Sequence, residues 1–327
     1  MSLLKSLLSK INFELNRNPL IEKGDPTKFI PSGYKAVVTI SADFELAWAW
    51  RYSKSVKDPL KRAVSKAETE RKNVPIILDL CEKFNIPITW ATVGHLFLSS
   101  CSAVNGKVHP EIKRLDNFEN EYWSFSAADW FEYDPCTNVD AAPYWYCPDL
   151  IKQIQNSKVK QEIGCHTFSH IDCSDKICSP EVIDSELAKC KELAKASGIE
   201  MKSFVHPGHT IGNLDTIRKN GFTSYQTDKN TLGYPAKNNE LWEMKRTMEM
   251  TWREDWSAGY HVYRYKKIID RAIDSNTVCN LWFHPSMDPR FMNEVLPEIF
   301  SYLKDSYIKK DIYLTTVGDY IEVLNGK

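Results

Sequence analysis

Apolar residues along this chain fall into short, nearly continuous runs separated by longer stretches with helical spacing. That alternation is the pattern of strand-then-helix units feeding a parallel sheet. Lys35–Ala42 (KAVVTISA) predicts a buried, β-branched strand that opens after Pro31-Ser32-Gly33. Ile88–Val93, Glu162–Thr167, Lys202–Val205, Thr223–Thr227, Val278–Phe283 and Ile312–Thr316 predict further strands. Helices are predicted over Val74–Phe84, with Ile76, Leu80 and Phe84 on one face, and over Pro148–Ser157, Ser179–Gly198, Asn213–Asn220, Tyr263–Asp274 and Asn293–Lys309. The clearest is Ser179–Gly198: Ser179 caps it, Pro180 sits in the first turn, Ile183, Leu187, Cys190 and Ala194 form the inner stripe, and Gly198 ends it. Two stretches break the rhythm, 106–147 and 230–260. Both are too long for simple connections and both are rich in aromatics.

The first residues form a separate feature. Leu4, Leu7, Leu8, Ile11 and Leu15 recur at helical spacing, with Lys5, Lys10 and Asn16 off the stripe. The expectation is an amphipathic helix packed on the domain or on another subunit, with peripheral contact to a membrane surface through residues 1–18 as the sharper alternative. The segment has no uninterrupted apolar core and no small-residue cleavage site of a secretory leader. The organisation expected is an N-terminal helix and linker over 1–30, then one domain over 31–327 carrying the two insertions.

Composition narrows the class. A chain of 327 residues with 43% apolar and 26% charged residues is large enough for one α/β barrel with insertions. A formal net charge of -1 argues against a general nucleic-acid binder. The nine cysteines are scattered, without a C-x-x-C pair, and are expected to be reduced structural thiols of a reducing compartment.

Three segments carry chemistry. His166 and His170, in Gly164-Cys165-His166-Thr167-Phe168-Ser169-His170, close a predicted strand and can present two imidazoles on one side of a turn. Ser41-Ala42-Asp43-Phe44-Glu45 closes the first strand with two carboxylates; in extended chain Asp43 and Glu45 point to the same side, which suits one metal ligand and one general base. Leu281-Trp282-Phe283-His284-Pro285 ends a very apolar strand on a histidine. Taken singly, each has a plainer reading: a solvated histidine turn, a capping acid, a core histidine.

In this order the three segments resemble the NodB-type polysaccharide deacetylases, over roughly Lys35 to Asp319. Ile86–Gly94 (IPITWATVG) is similar to that family's second strand, and Phe204-Val205-His206-Pro207 to its third motif. The resemblance implies an α/β fold, a distorted, seven-stranded (β/α) barrel with long aromatic-rich insertions and an N-terminal helix. It also implies one divalent metal ion in the mouth, zinc first, with nickel, cobalt, manganese and iron also compatible. The family's usual Thr-Phe-Asp-Asp-Gly is replaced here by an Asp-x-Glu variant. The resemblance therefore carries the general-base role to Asp43 and the metal-ligand role to Glu45, His166 and His170, with Asp43 and Glu45 able to exchange roles. His284 takes the general-acid role. The family's arginine, which orients the base, is absent: Val205 stands in its place, and the orienting partner either comes from elsewhere in the chain or is His206.

The activity implied by the resemblance is hydrolysis of an N-acetyl group on a sugar, in cell-surface polysaccharide assembly or modification. The expected substrate is an N-acetylated glycan precursor at the cytoplasmic face of the membrane. Trp48, Tyr144, Trp145, Tyr146, His206 and Pro207 are the expected substrate-binding residues, with Trp50, Trp123, Trp130 and Asp134 as further candidates. Asp172 and Asp175 are solvated loop acids or orient an imidazole. Two rivals stand beside this reading. One is a small-amide or ureide hydrolase on the same barrel. The other is a non-catalytic carbohydrate-binding relative, which the missing arginine favours.

Overall fold

The computed structural model describes residues 3–16 and 18–326, the side chains of 3–6, 15 and 16 excepted. Its centre is a parallel sheet built from β1 (Ala36–Phe44), β2 (Thr89–Thr92), β3 (Glu162–Cys165), β4 (Ser203–Val205), β5 (Ser224–Asp228), β6 (Leu241–Arg246), β7 (Val278–Phe283) and β8 (Ile312–Thr315). The order is β6-β5-β4-β3-β2-β1-β7, every neighbouring pair parallel. β8 runs beside the first half of β1 (Thr315 opposite Thr39), where β2 has not yet begun, and β2 takes over at Ser41. The chain beyond β6 continues as Met248–Glu249, which pairs in parallel with Leu281 and Trp282 of β7. One stretch, 241–249, thus pairs with β5 along its first part and with β7 along its last.

All nine residues of β1 and all six of β7 are buried, as expected for strands covered on both faces. The covering helices are α1 (Leu3–Asn16), α2 (Pro59–Phe84), α3 (Pro148–Gln155), α4 (Pro180–Ala196), α5 (Leu214–Lys219), α6 (Ala258–Ser275), α7 (Leu296–Ile308) and α8 (Val317–Asn325). α4 matches its sequence pattern: Ser179 accepts from the Val182 N–H, and Ile183, Leu187, Cys190 and Ala194 face the core.

α2 departs from expectation. It starts 15 residues earlier, at Pro59, capped by Asp58, and buries Ala63, Ala67, Glu70, Val74, Ile77 and Cys81, whereas Ile76 is exposed. The early part of that stripe consists of alanines and a glutamate, which give little apolar signal. The stretch predicted as a helix from Asn293 opens instead with a π-turn at Phe291–Val295 before α7. β6 is a further correction: it lies inside 230–260, where an insertion is expected, and its Glu243 and Lys245 alternate with the inward-facing Met244 and Arg246, which masks the strand pattern.

α1 docks through Phe13 and Glu14. Phe13 is buried edge-on against Trp256, at 4.6 Å, and Glu14 pairs with Arg264 (2.7 Å) and Lys267 (2.9 Å). Leu7, Leu8 and Ile11 face outward, while the side chains of Leu4, Lys5, Leu15 and Asn16 lie outside the described residues. Among the described residues no helix is long and apolar enough to cross a membrane.

Candidate active site

The carboxyl ends of the strands converge on a cleft of about 440 Å³ lined by Asp43, Glu45, His170, His209, Glu249 and His284 and walled by Trp50, Trp123 and Trp282. This is where α/β sheets place their chemistry. Asp43 is the penultimate residue of β1 and Glu45 follows its end; Leu46 then turns the chain in a left-handed conformation (φ 48°). That turn is held by Glu70 of α2, whose buried carboxyl accepts the N–H groups of Glu45 (3.0 Å) and Leu46 (3.1 Å). Burial and the neighbouring Glu45 charge push Glu70 up to about 8.

A second helix acid holds the histidine turn. Thr167 and His170 are both left-handed (φ 60° and 57°), and between them Ser169 gives its N–H (2.7 Å) and hydroxyl (2.6 Å) to Glu186 of α4. His166 and His170 then direct their Nε2 atoms at one oxygen of Glu45, at 3.0 and 3.1 Å. The other nitrogen of His166, Nδ1, donates to the Val205 carbonyl at 2.8 Å. In a neutral ring this leaves Nε2 with a lone pair facing a carboxylate oxygen, which is repulsive unless a cation lies between them. The donor set of two imidazoles and one carboxylate, with one ring anchored from behind, fits a divalent metal with positions open to the cleft. Burial opposes ionisation of Glu45, but the imidazoles of His170 and His284 outweigh it and hold the carboxyl well below its usual range.

Asp43 faces Arg246 of β6, which grips both its oxygens, Nη1 to Oδ2 at 3.0 Å and Nη2 to Oδ1. The pair is buried. Burial alone raises the Asp43 pKa; Arg246, with His166 and His284, brings it below the ordinary value. Arg246 is itself oriented by Gln226, through Nε at 2.9 Å, and lies over the Trp282 ring. Across the cleft the half-buried His284 sits 3.8 Å from Glu45 and 3.4 Å, through Nδ1, from Glu249. Burial disfavours its charged form, yet Glu45, Glu249 and Asp43 together push it up to about 9.

Residues 66–224 match the family model described as polysaccharide deacetylase. That segment, just under half of the chain, is similar to a polysaccharide deacetylase domain. The family consists of hydrolases that act on carbon–nitrogen bonds other than peptide bonds. The match takes in α2 from Lys66 on, the second strand, the histidine pair and the third motif; Asp43, Glu45, Arg246 and His284 lie outside it. No curated protein matches the chain. Among solved structures, a Mycobacterium smegmatis protein assigned as a polysaccharide deacetylase aligns with TM-score 0.62 at 12% identity, over 94% of each chain. A Pseudomonas aeruginosa protein with the same assignment aligns with TM-score 0.63 at 10% identity, over 94% of this chain and 95% of that one. An allantoinase, PuuE, aligns with TM-score 0.60 at 12% identity, over 94% of this chain and 95% of that one. These likenesses concern the fold.

The five residues expected to carry chemistry, Asp43, Glu45, His166, His170 and His284, come together. The expected substrate-binding residues do not line the cleft. Trp48 is buried between the rings of His95 and Trp145, and its indole N–H donates to the Trp145 carbonyl. Trp145 and Tyr146 are buried with it, and Tyr144 is half-buried outside the cleft. Aromatics in the 106–147 insertion mostly pack the insertion onto the sheet. His206 is a core residue: Nε2 donates to the Gly212 carbonyl at 3.1 Å, and burial lowers its pKa to about 4. It does not substitute for the family arginine, because Arg246 occupies Asp43. Val205 contributes its carbonyl, the anchor of His166. Pro207 is buried at the start of a short turn, Pro207–His209. Asp172 is buried and binds Ser174 and Asn120, and Asp175 accepts from the Asn213 N–H, so both tie loops together.

The cleft aromatics are Trp50 (5.9 Å from the His284 ring), Trp123 (5.3 Å from His170) and Trp282 (5.4 Å from His284). Gly208, at φ 54°, is required here: a Cβ would lie 2.6 Å from the Trp123 ring.

Proposed function

We propose that this chain removes the acetyl group from an amino sugar by hydrolysis of its amide bond. Glu45, His166 and His170 would hold a divalent metal ion, zinc first. When bound, such an ion acidifies water and polarises an amide carbonyl. Asp43, kept anionic and aimed by the guanidinium of Arg246, accepts the proton of the attacking water. His284, which carries a proton across the neutral range, delivers it to the departing amine nitrogen, and Glu249 holds the ring in place. Trp50, Trp123 and Trp282 offer apolar faces for a pyranose ring.

The observation that carries this reading is the convergence of Asp43, His284 and the Glu45–His166–His170 set on one cleft, in a chain whose residues 66–224 match the deacetylase family model. The missing arginine had favoured a non-catalytic relative; Arg246 fills that role from another strand. The test is acetate release from N-acetylglucosamine oligomers by the metal-loaded chain. Acetate is expected from wild type, with none above background from Asp43→Asn or His284→Ala. Release of ammonia or a ureido product from a small amide, without acetate from any sugar, would instead favour the small-amide hydrolase.

We further propose that the protein works at the cytoplasmic face of the membrane, on a nucleotide-linked or lipid-linked precursor of a cell-surface glycan. Its nine free cysteines support a reducing compartment. The outward Leu7, Leu8 and Ile11 of α1 provide a face for a membrane surface or a second subunit. Fractionation of the native protein into an extracellular pool would contradict this placement.

A further inference from the structure

Behind the cleft wall, and separate from the residues assigned to catalysis, four potential ligands meet in the interior. His95 comes from the short turn Gly94–Phe97 that follows β2; Cys101, His109 and Asp134 come from the chain between β2 and α3. The Nε2 atoms of His95 and His109 stand 3.1 Å apart, and Asp134 Oδ2 is 3.0 Å from the first and 2.9 Å from the second. Cys101 Sγ lies 3.7 Å from the same oxygen, and one atom from each of the four residues falls within 4.8 Å of the others. Tetrahedral sites with bonds of about 2.0–2.3 Å place their ligand atoms roughly 3.3–3.7 Å apart.

With both rings neutral, protons alone do not satisfy this arrangement. His95 Nδ1 faces the Trp145 carbonyl at 3.1 Å and must donate to it, so Nε2 of the neutral ring bears a lone pair. That lone pair meets a carboxylate oxygen and a second imidazole nitrogen, and a single His109 proton serves only one of those acceptors well. The side chains of His95 and Asp134 are fully shielded from solvent, so water does not relieve the conflict.

The surroundings are built as metal sites build theirs. Asp134 uses Oδ1 for the Tyr146 hydroxyl (3.2 Å) and the Cys136 N–H (2.9 Å), which leaves Oδ2 for the imidazoles. Tyr146 in turn accepts the Thr137 N–H and contacts Cys101 Sγ at 3.2 Å. Glu111 stands behind His109 at 3.9 Å.

We infer that His95, Cys101, His109 and Asp134 form a second, structural metal site for a thiophilic divalent cation, zinc first. The thiolate and imidazole donors favour zinc over magnesium or calcium, and four protein ligands leave no position for substrate. The ion ties the inserted segment to the end of β2. That segment also carries Tyr122 and Trp123 into the cleft wall, so the site supports the cleft without entering the reaction.

The test is metal analysis of the full chain purified from zinc-supplemented cells and dialysed against metal-free buffer. Two ions per chain are expected in wild type. His166→Ala should lose one and keep the other, and His109→Ala should lose the shielded one. His109→Ala also removes a buried ring, so cobalt-loaded protein supplies an independent readout. Thiolate-to-metal charge-transfer absorption is expected in wild type and in His166→Ala, and is absent in Cys101→Ser. A single ion per chain that His166→Ala removes completely, or cobalt-loaded wild type without a thiolate band, would overturn the assignment.

Discussion

The two histidine–carboxylate clusters use nearly the same side chains and differ in what closes them. At the cleft, His166, His170 and Glu45 leave one side open to Asp43, His284 and a cavity of about 440 Å³. In the interior, His95, His109 and Asp134 are joined by Cys101 and enclosed by Trp48, Phe131, Tyr146 and Phe168. Open coordination beside a base and an acid serves chemistry; saturated coordination under an aromatic cover serves structure. Donor type alone does not separate the two. Exposure and the fourth ligand do.

The widest separation comes from breaking each cluster in turn. Glu45→Ala should reduce acetate release to background while leaving the thermal midpoint within about 2 °C of wild type. Cys101→Ser should lower that midpoint by roughly 4–8 °C, for a structural loss of a few kcal/mol, and keep kcat within a few-fold. Calorimetry and an acetate assay on both variants check this. Equal effects of the two variants on both readouts would erase the distinction.

Next is Arg246→Met, which leaves the Asp43 carboxylate buried without its partner. Stripping one member of such a pair costs about 3–5 kcal/mol, read by urea unfolding at neutral pH. A smaller step is Glu70→Gln, which weakens the clamp on the Glu45–Leu46 turn. Metal affinity at the cleft should fall about 10–100-fold, with the shielded ion retained, as competition with a chelator would report.

Smallest is Glu249→Gln. His284 is raised to about 9 partly by Glu249, so its protonated, acid-competent form is lost as pH rises through that value. Removing the carboxylate lowers the His284 pKa and should move the alkaline limb of the kcat profile to lower pH by about one unit. A limb that stays in place would mean that Glu249 does not tune His284.

The convergence at the cleft was legible in the sequence because its residues end strongly apolar strands: Asp43 and Glu45 after KAVVTISA, His166 after Glu162–Cys165, His284 after VCNLWF. A strand end is a position in space as well as in sequence. Arg246 was hidden by the alternation that made its strand look polar. Glu70 and Glu186 were hidden because acids in helices ordinarily face water, and only packing shows that Glu70 holds the Glu45–Leu46 turn and Glu186 the turn at Ser169. The aromatics of 106–147 misled for a related reason: tryptophans and tyrosines look alike whether they line a cleft or seal a cluster. Trp48, Trp145 and Tyr146 do the latter. His95 and His109 carry no spacing signal, since 14 residues and a strand-to-loop transition separate them.

The most direct test of metal-dependent deacetylation at the cleft is acetate release from a chitin oligosaccharide by one preparation in three states: as purified, after removal of metal by a chelator, and after readdition of zinc. Acetate is expected in the first state, its loss in the second and its return in the third, with Glu45→Ala inactive throughout. Undiminished release from metal-free protein, or equal activity in Glu45→Ala, would contradict a catalytic ion held by Glu45, His166 and His170.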